Sequence, residues 1–223
     1  MVREEDYMAD PMTFADDALH QWLESMLSRM GEAQNTLNHG KQAKLSLAEI
    51  IDGLAQRGFE RVLLKTCSEN LAKPCGIRQY TQAKDFLKSE RSLLSIWFAM
   101  QFGPKEYLSH DISLRYVIKT GNWARYIHAR DAVTVMRQGE YSQGATYINS
   151  GKIISVPLLF ITCVESLDKN NFGAMEHLVY TRMNSFKKTV LLCNTATVDK
   201  LVVEIGDRLT SWAGDSIFEI ERE

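Results

Sequence analysis

Apolar residues follow two regimes along the chain. In TFADDALHQWLESMLSRMGEAQNTLNH, residues Leu19, Trp22, Leu23, Met26, Leu27 and Met30 recur at three- and four-residue spacing and predict an amphipathic helix. Thr13 is the expected cap, with Asp16 standing imperfectly for the usual glutamate. After the polar break NHGKQAKLS, the stretch LSLAEIIDGLAQRGFERVLL predicts a second helical region. Ser46 caps it with Glu49 at the third position, and Gly53 and Gly58 weaken it locally. Pro74 and Gly76 mark a turn. The expectation is a small helical N-terminal region over residues 1–75.

Over residues 76–223 short apolar runs alternate with helical patterns. RSLLSIWFAMQF, WARYIHA, IISVPLLFITCV, KKTVLLCNT and DSIFEIE read as five strands. TQAKDFLKSE, EYLSHDISLRYVIKTG, ARDAVTVMRQGE, FGAMEHLVYTRMN and ATVDKLVVEIGDRLTSWAG read as helices, the last broken at Gly206. GEYSQGATYINSG reads as a loop. LLFIT is apolar without alternation, as a strand covered on both faces should be. The fold class expected is therefore α/β, a parallel five-stranded sheet with helices on both faces.

Composition narrows this reading. With 45% hydrophobic and 24% charged residues the chain is an ordinary globular one. A formal net charge of -2 excludes a strongly basic nucleic-acid protein, so any phosphate-binding surface must be assembled by folding. The longest apolar run, LLSIWFAM, is too short to cross a bilayer. The start, MVREEDYMADP, is acidic and polar, and the expected location is cytoplasmic, with no membrane partner. Cys67, Cys75, Cys163 and Cys193 form no C-x-x-C pair. Structural thiols are expected; zinc at Cys67 and Cys75 would need two more ligands.

From about Arg91 onward the succession of short motifs resembles the ATPase domain of the DnaC/IstB helicase-loader family, within the AAA+ P-loop ATPases. ARYIHARDAVTVMRQGEY is similar to that family's second strand and following helix. VPLLFITCV stands where the family carries its second acidic motif (Walker B). MEHLVYTRMNSFKKTVLLCNTATVDKLVVEIGDRLTSWAG resembles the helix, basic turn, strand, short helix and Gly-x-Arg box that follow. The resemblance implies a P-loop NTPase (AAA+/RecA-like) fold.

The departures bear on chemistry. A working P-loop (Walker A), G-x-x-x-x-G-K-[ST], cradles phosphates on backbone amides, and its lysine and hydroxyl serve the γ-phosphate and Mg²⁺. The corresponding turn is QFGPKEYLS, with Gly103 and Lys105 as the vestigial phosphate loop and Glu106 placed to repel a phosphate. Thr162 and Cys163 occupy the places of the metal-holding and water-polarising acids and can do neither job. Glu165, two residues on, is a weak candidate substitute. Asn194 matches the strand-end sensor, and Arg208 the arginine offered to a neighbouring subunit's ATP, each with a local structural role as the alternative. No cofactor, metal or catalytic residue is assigned, and the chain is expected not to be an enzyme.

His110 and His128 read as packed or surface histidines, with His128 at the sheet's ligand-collecting edge. Arg125, Arg130, Arg137, Lys187 and Lys188 are candidate DNA contacts, with Trp123, Tyr126 and Tyr147 as candidate stacking aromatics. Trp22, Leu23, Met26 and Met30 form a candidate partner-binding strip, with packing on the domain itself as the alternative. The leading functional expectation is a non-catalytic adaptor or regulator of DNA replication or of a mobile element. It would bind a replicative helicase, helicase loader or initiator, with single-stranded DNA and a homo-oligomeric ring as further partners. The alternatives are a DNA-binding accessory factor without a helicase partner and an ATPase subunit with an atypical nucleotide site.

Overall fold

The computed structural model describes residues 45–72, 76–100, 103–143 and 146–221. The strip Trp22, Leu23, Met26 and Met30, the Thr13 cap and Cys75 lie outside them. Three helices, α1 (Leu47–Ala55), α2 (Arg61–Glu69) and α3 (Tyr80–Lys88), precede β1 (Leu94–Phe98). Then come α4 (Pro104–Thr120), β2 (Ala124–His128), α5 (Ala129–Gln138), β3 (Glu140–Gln143), β4 (Thr146–Asn149) and α6 (Ser150–Ser155). The chain ends with β5 (Leu158–Thr162), α7 (Lys169–Asn184), β6 (Lys188–Cys193), α8 (Val198–Ile205), α9 (Asp207–Ala213) and β7 (Ile217–Glu219).

The five expected strands form one sheet in the order β2-β5-β6-β1-β7, parallel throughout. β1, β5 and most of β6 are buried along their length. Alternate residues serve opposite layers, which is why these strands read as continuous apolar runs. Ile96, Phe98, Leu159, Ile161, Leu191 and Cys193 face the layer of α5, α7, α8 and α9. Trp97, Leu158, Phe160, Val190 and Leu192 face α1 to α4. Burying about 10 such side chains per face is the main stabilising term, at roughly 1.5–3 kcal/mol each.

The chain divides after Leu45, not near residue 75. Helices α1 and α2, which periodicity alone grouped with the N-terminal region, place Ile50, Ile51, Leu54 and Leu64 in the same core as Trp97 and Phe160. Ser46 does cap α1: Glu49 Oε2 accepts the Ser46 N–H at 2.7 Å, and Ser46 Oγ accepts the Glu49 N–H at 3.3 Å. The turn after α1 lies on edge strand β2, where the Tyr126 N–H donates to the Arg57 carbonyl at 2.9 Å. Gly58 is obligatory there, since its φ is +94 and a Cβ would stand 2.1 Å from the Tyr126 carbonyl oxygen. The segment read as a loop, GEYSQGATYINSG, instead contains the antiparallel pair β3–β4 and the start of α6. Four-residue strands are too short to show a period, so the turn residues between them dominated the reading. Asn149 Oδ1 accepts the Lys152 N–H at 2.9 Å and starts α6.

Two cations, one buried and one half-buried, brace the helical layers. Arg182 is fully buried on α7 and donates to the carbonyls of Ile153, Ile154, Val156 and Lys188 and to Thr189 Oγ1. Lys188 Nζ donates to the carbonyls of Phe86, Ser89 and Ser92, closing the end of α3 onto β6. His110, on α4, lies in an aromatic cluster with Phe59 and Tyr126. Its Nδ1–H donates to the Glu106 carbonyl at 2.7 Å and its Nε2 accepts the Glu60 N–H at 2.9 Å. Both nitrogens are thus committed to the neutral ring, and burial pushes its pKa down from 6.5 to about 4.

The unfolded chain binds a proton at His110 near pH 6.5 that the native one refuses until about pH 4. The contribution is full above pH 6.5 and is lost as pH falls from 6.5 toward 4. Its size is on the order of 3 kcal/mol. Urea unfolding of the wild type and of His110→Gln at pH 7 and pH 4.5 checks this. The variant should lose markedly less stability between the two pH values; parallel losses would contradict the assignment.

Candidate functional site

The carboxyl ends of β1, β5 and β6 lie side by side at one edge of the parallel sheet. The turn after β1 delivers Gly103 at φ +128, a backbone conformation that glycine tolerates, directly before α4. A helix N-terminus of this kind is an anion site, because its first amides have no intrahelical partner. Here two of those donors are gone. Pro104, at the first helical position, has no N–H. The Gly103 N–H donates to Glu106 Oε2 at 2.7 Å. Glu106 stands at the third position and reaches back, so the anion at this terminus belongs to the chain itself.

Lys105 points inward. Its side chain is 0% exposed, and Nζ lies 3.1 Å from Glu106 Oε1. The same ammonium donates to Asn194 Oδ1 at 2.6 Å. Asn194, one residue past β6, donates through Nδ2 to Glu165 Oε1 at 2.7 Å. The structure therefore gathers the vestigial loop, the sensor position and the residue after the second motif into one chain of contacts, Glu106–Lys105–Asn194–Glu165. Thr162 ends β5, and Cys163 follows in the left-handed region at φ 57, unusual for a residue with a side chain. Their side-chain atoms there are a hydroxyl and a thiol 3.6 Å apart. Cys193 beneath them is fully buried, and its thiol pKa is pushed up by burial first and then by Glu165 and Glu204, with Lys105 opposing. Glu106, Glu165 and Glu204 against Lys105 leave this floor net negative.

The other candidates are dispersed. Arg208 is 66% exposed and pairs with Glu176 of α7 at 2.7 Å, within the domain. His128 Nδ1 accepts the Arg130 N–H at 3.2 Å and starts α5. Arg130 and Arg137 line a cleft of about 410 Å³ together with the Asp168 carboxylate, and Arg137 donates to the Asn170 carbonyl at 2.6 Å. Lys187 lies at the turn before β6, and the three carbonyls on Lys188 remove it from any DNA surface. Arg125 lies at the amino end of β2, in a groove with Arg57, Trp123, Tyr147 and Lys152. The five proposed DNA contacts therefore do not form one surface. Tyr126 packs against Phe59 and His110 rather than offering a stacking face.

Sequence reasoning saw Glu106 as hostile to phosphate and missed it as the cap. An acid three residues after a glycine at a helix start is the signal that reveals it. It also missed Glu165 as Asn194's partner, and Arg57 and Lys152, which only the fold brings to the groove.

No family model matches the chain, and no curated protein matches it. Among solved structures, domain III of the Thermotoga maritima replication initiation protein DnaA is similar at 20% identity and a TM-score of 0.50, covering 64% of this chain and 60% of that one. The DnaC helicase loader is similar at 15% identity and a TM-score of 0.49, covering 63% of this chain and 87% of that one. DnaA from Aquifex aeolicus, bound to AMPPCP, is 21% identical with a TM-score of 0.48, and this chain spans 45% of it. The likeness is one of fold: the chain shares with that DnaA domain a five-stranded parallel sheet covered by helices on both faces. Among the described residues no helix is long and apolar enough to cross a membrane.

Removing the charge of Glu106 while keeping an acceptor for Gly103 leaves the buried Lys105 ammonium without the carboxylate beside it. Glu106→Gln should cost about 3 kcal/mol, or roughly 6–12 °C in Tm. Lys105→Met combined with Glu106→Gln should recover most of that loss, because the charge is removed with its partner. Thermal denaturation of the single and double variants decides. An unchanged Tm for Glu106→Gln would show that the ion pair does not hold the turn.

Proposed function

We propose that this domain is a non-catalytic adaptor or regulator of DNA replication, or of a mobile element, built on a pseudo-ATPase scaffold. It binds a replicative helicase, a helicase loader or an initiator through surfaces retained from an ATPase ancestor. The observation that carries the non-catalytic part is the Gly103–Glu106–Lys105 arrangement. A carboxylate holds the amide, and the lysine that would meet a γ-phosphate is buried against that carboxylate.

The metal side points the same way. Mg²⁺ in phosphoryl transfer needs anionic or hydroxyl oxygens at the second motif and on the P-loop. Cys163 offers sulfur, and the adjacent Glu165 is engaged by Asn194. Thr162 alone supplies a neutral oxygen. Losing both the cradle and the acid pair removes binding as well as turnover. Arg208, already paired with Glu176, serves local structure in the isolated chain and is exposed enough to exchange that partner at a subunit contact.

The replication part rests on fold likeness to a DnaA domain together with the motif succession in the sequence. A tagged copy of the full chain recovered from its native cell, with and without nuclease, tests it by mass spectrometry. Recovery of the replicative helicase, its loader or an initiator after nuclease treatment is the expected result. Recovery of such proteins only while DNA is intact, or of an unrelated complex, would overturn the adaptor reading.

A further inference from the structure

At the amino end of the sheet, away from the Gly103 turn, lies an open groove of about 740 Å³. That volume is within the range of small-ligand sites. Its walls carry Arg57, Trp123, Arg125, Tyr147 and Lys152, and among the described residues no acidic one lines it. Each wall is built. The Arg57 guanidinium lies 4.1 Å from the Trp123 ring centroid and donates to the Gly53 carbonyl at 2.8 Å. The Trp123 ring is itself wedged against Gly53, where a Cβ would stand 2.3 Å from Cη2. Lys152 donates to the Tyr147 carbonyl at 3.2 Å and lies 5.1 Å over the Tyr147 ring. The Tyr147 hydroxyl donates to Glu140 at 2.8 Å, which fixes the ring and occupies that carboxylate.

Between these walls stands Arg125. Its guanidinium has no hydrogen bond or ion pair among the described residues. It is half-buried, and it is destabilised as a cation by burial first and by Arg57 second. Two guanidiniums that repel across a partly desolvated groove, with no carboxylate between them, are complementary to an anion. A flat ring at 48% exposure beside them is complementary to a planar group.

We propose that this groove binds a nucleotide unit. The phosphate lies between Arg57 and Arg125, Lys152 neutralises the remaining charge, and the base stacks on Tyr147. The same chemistry comes from two sources, a free nucleotide or an unpaired nucleic-acid strand, and the site is independent of the adaptor role proposed above.

The test titrates the full chain with two fluorescent probes, N-methylanthraniloyl-AMP and a fluorescein-labelled oligothymidylate, at about 50 mM salt. Saturable binding of at least one probe is expected. The mononucleotide binding as tightly as the strand identifies a free nucleotide; binding of the strand alone identifies nucleic acid. Arg125→Gln should weaken binding at least about tenfold without moving Tm, since its head group makes no hydrogen bond or ion pair among the described residues. Tyr147→Ala should weaken binding too, and Lys200→Gln, on exposed α8, should not. For the strand, the magnitude of the slope of log K against log salt should fall by about 0.7 per cation removed. Binding of neither probe, or affinities indifferent to Arg125→Gln and Tyr147→Ala, would overturn the assignment.

Discussion

The N-terminus of α4 must be given an anion. Its first amides converge at the carboxyl edge of the sheet, at a glycine whose backbone only a residue without a side chain tolerates. At a helix start of this kind the anion can come from outside, as a bound phosphate does. Here the helix supplies it from its own third position, and the consequences spread outward. Glu106 requires a counter-charge because it is buried, and Lys105 provides it. Lys105 is then fixed within reach of Asn194, and Asn194 within reach of Glu165. The start of α4, the end of β6 and the turn after β5 are thereby joined in one chain of internal contacts.

The same sheet presents two ends of opposite character. At its carboxyl end the carboxylates outnumber the buried lysine, and the field disfavours phosphate. At its amino end Arg57, Arg125 and Lys152 line one groove, without a carboxylate in its lining among the described residues. The turn after α1 connects the two stories. Gly58 lets that turn approach β2, the approach covers the sheet's free edge, and the same turn carries Arg57 to the groove.

The five strands were legible because burial on both faces turns each into an apolar run, as in Leu158–Thr162. The Ser46 cap and the Gly206 break were legible because they depend on residues within four positions of each other. The β3–β4 pair was not, since its pairing extends over only four residues a side. The charged residues misled most. Lys187 and Lys188 are neighbours in sequence, yet Lys188 is spent on three carbonyls from the segment around α3, about a hundred residues earlier in the chain. Arg182, six residues before Lys188, is charged and yet fully buried. Charge in a sequence says nothing of which side of the surface it takes. At the carboxyl edge of the sheet, Thr162 and Cys163 were visible as letters, whereas the bond from the Gly103 amide to Glu106 needed the reach of one side chain around one turn.

The central claim is that the old phosphate position is filled from within. It is tested most directly by thermal denaturation of the Arg57→Gln, Arg125→Gln, Tyr147→Ala triple variant, from which both guanidiniums and the exposed ring of the amino-end groove are removed, with Mg-ATP raised to millimolar concentration. A ligand that binds the native state must raise Tm as its concentration passes Kd. The account predicts no rise. A saturating rise of several degrees would show that nucleotide still displaces Glu106 from α4, and would contradict it.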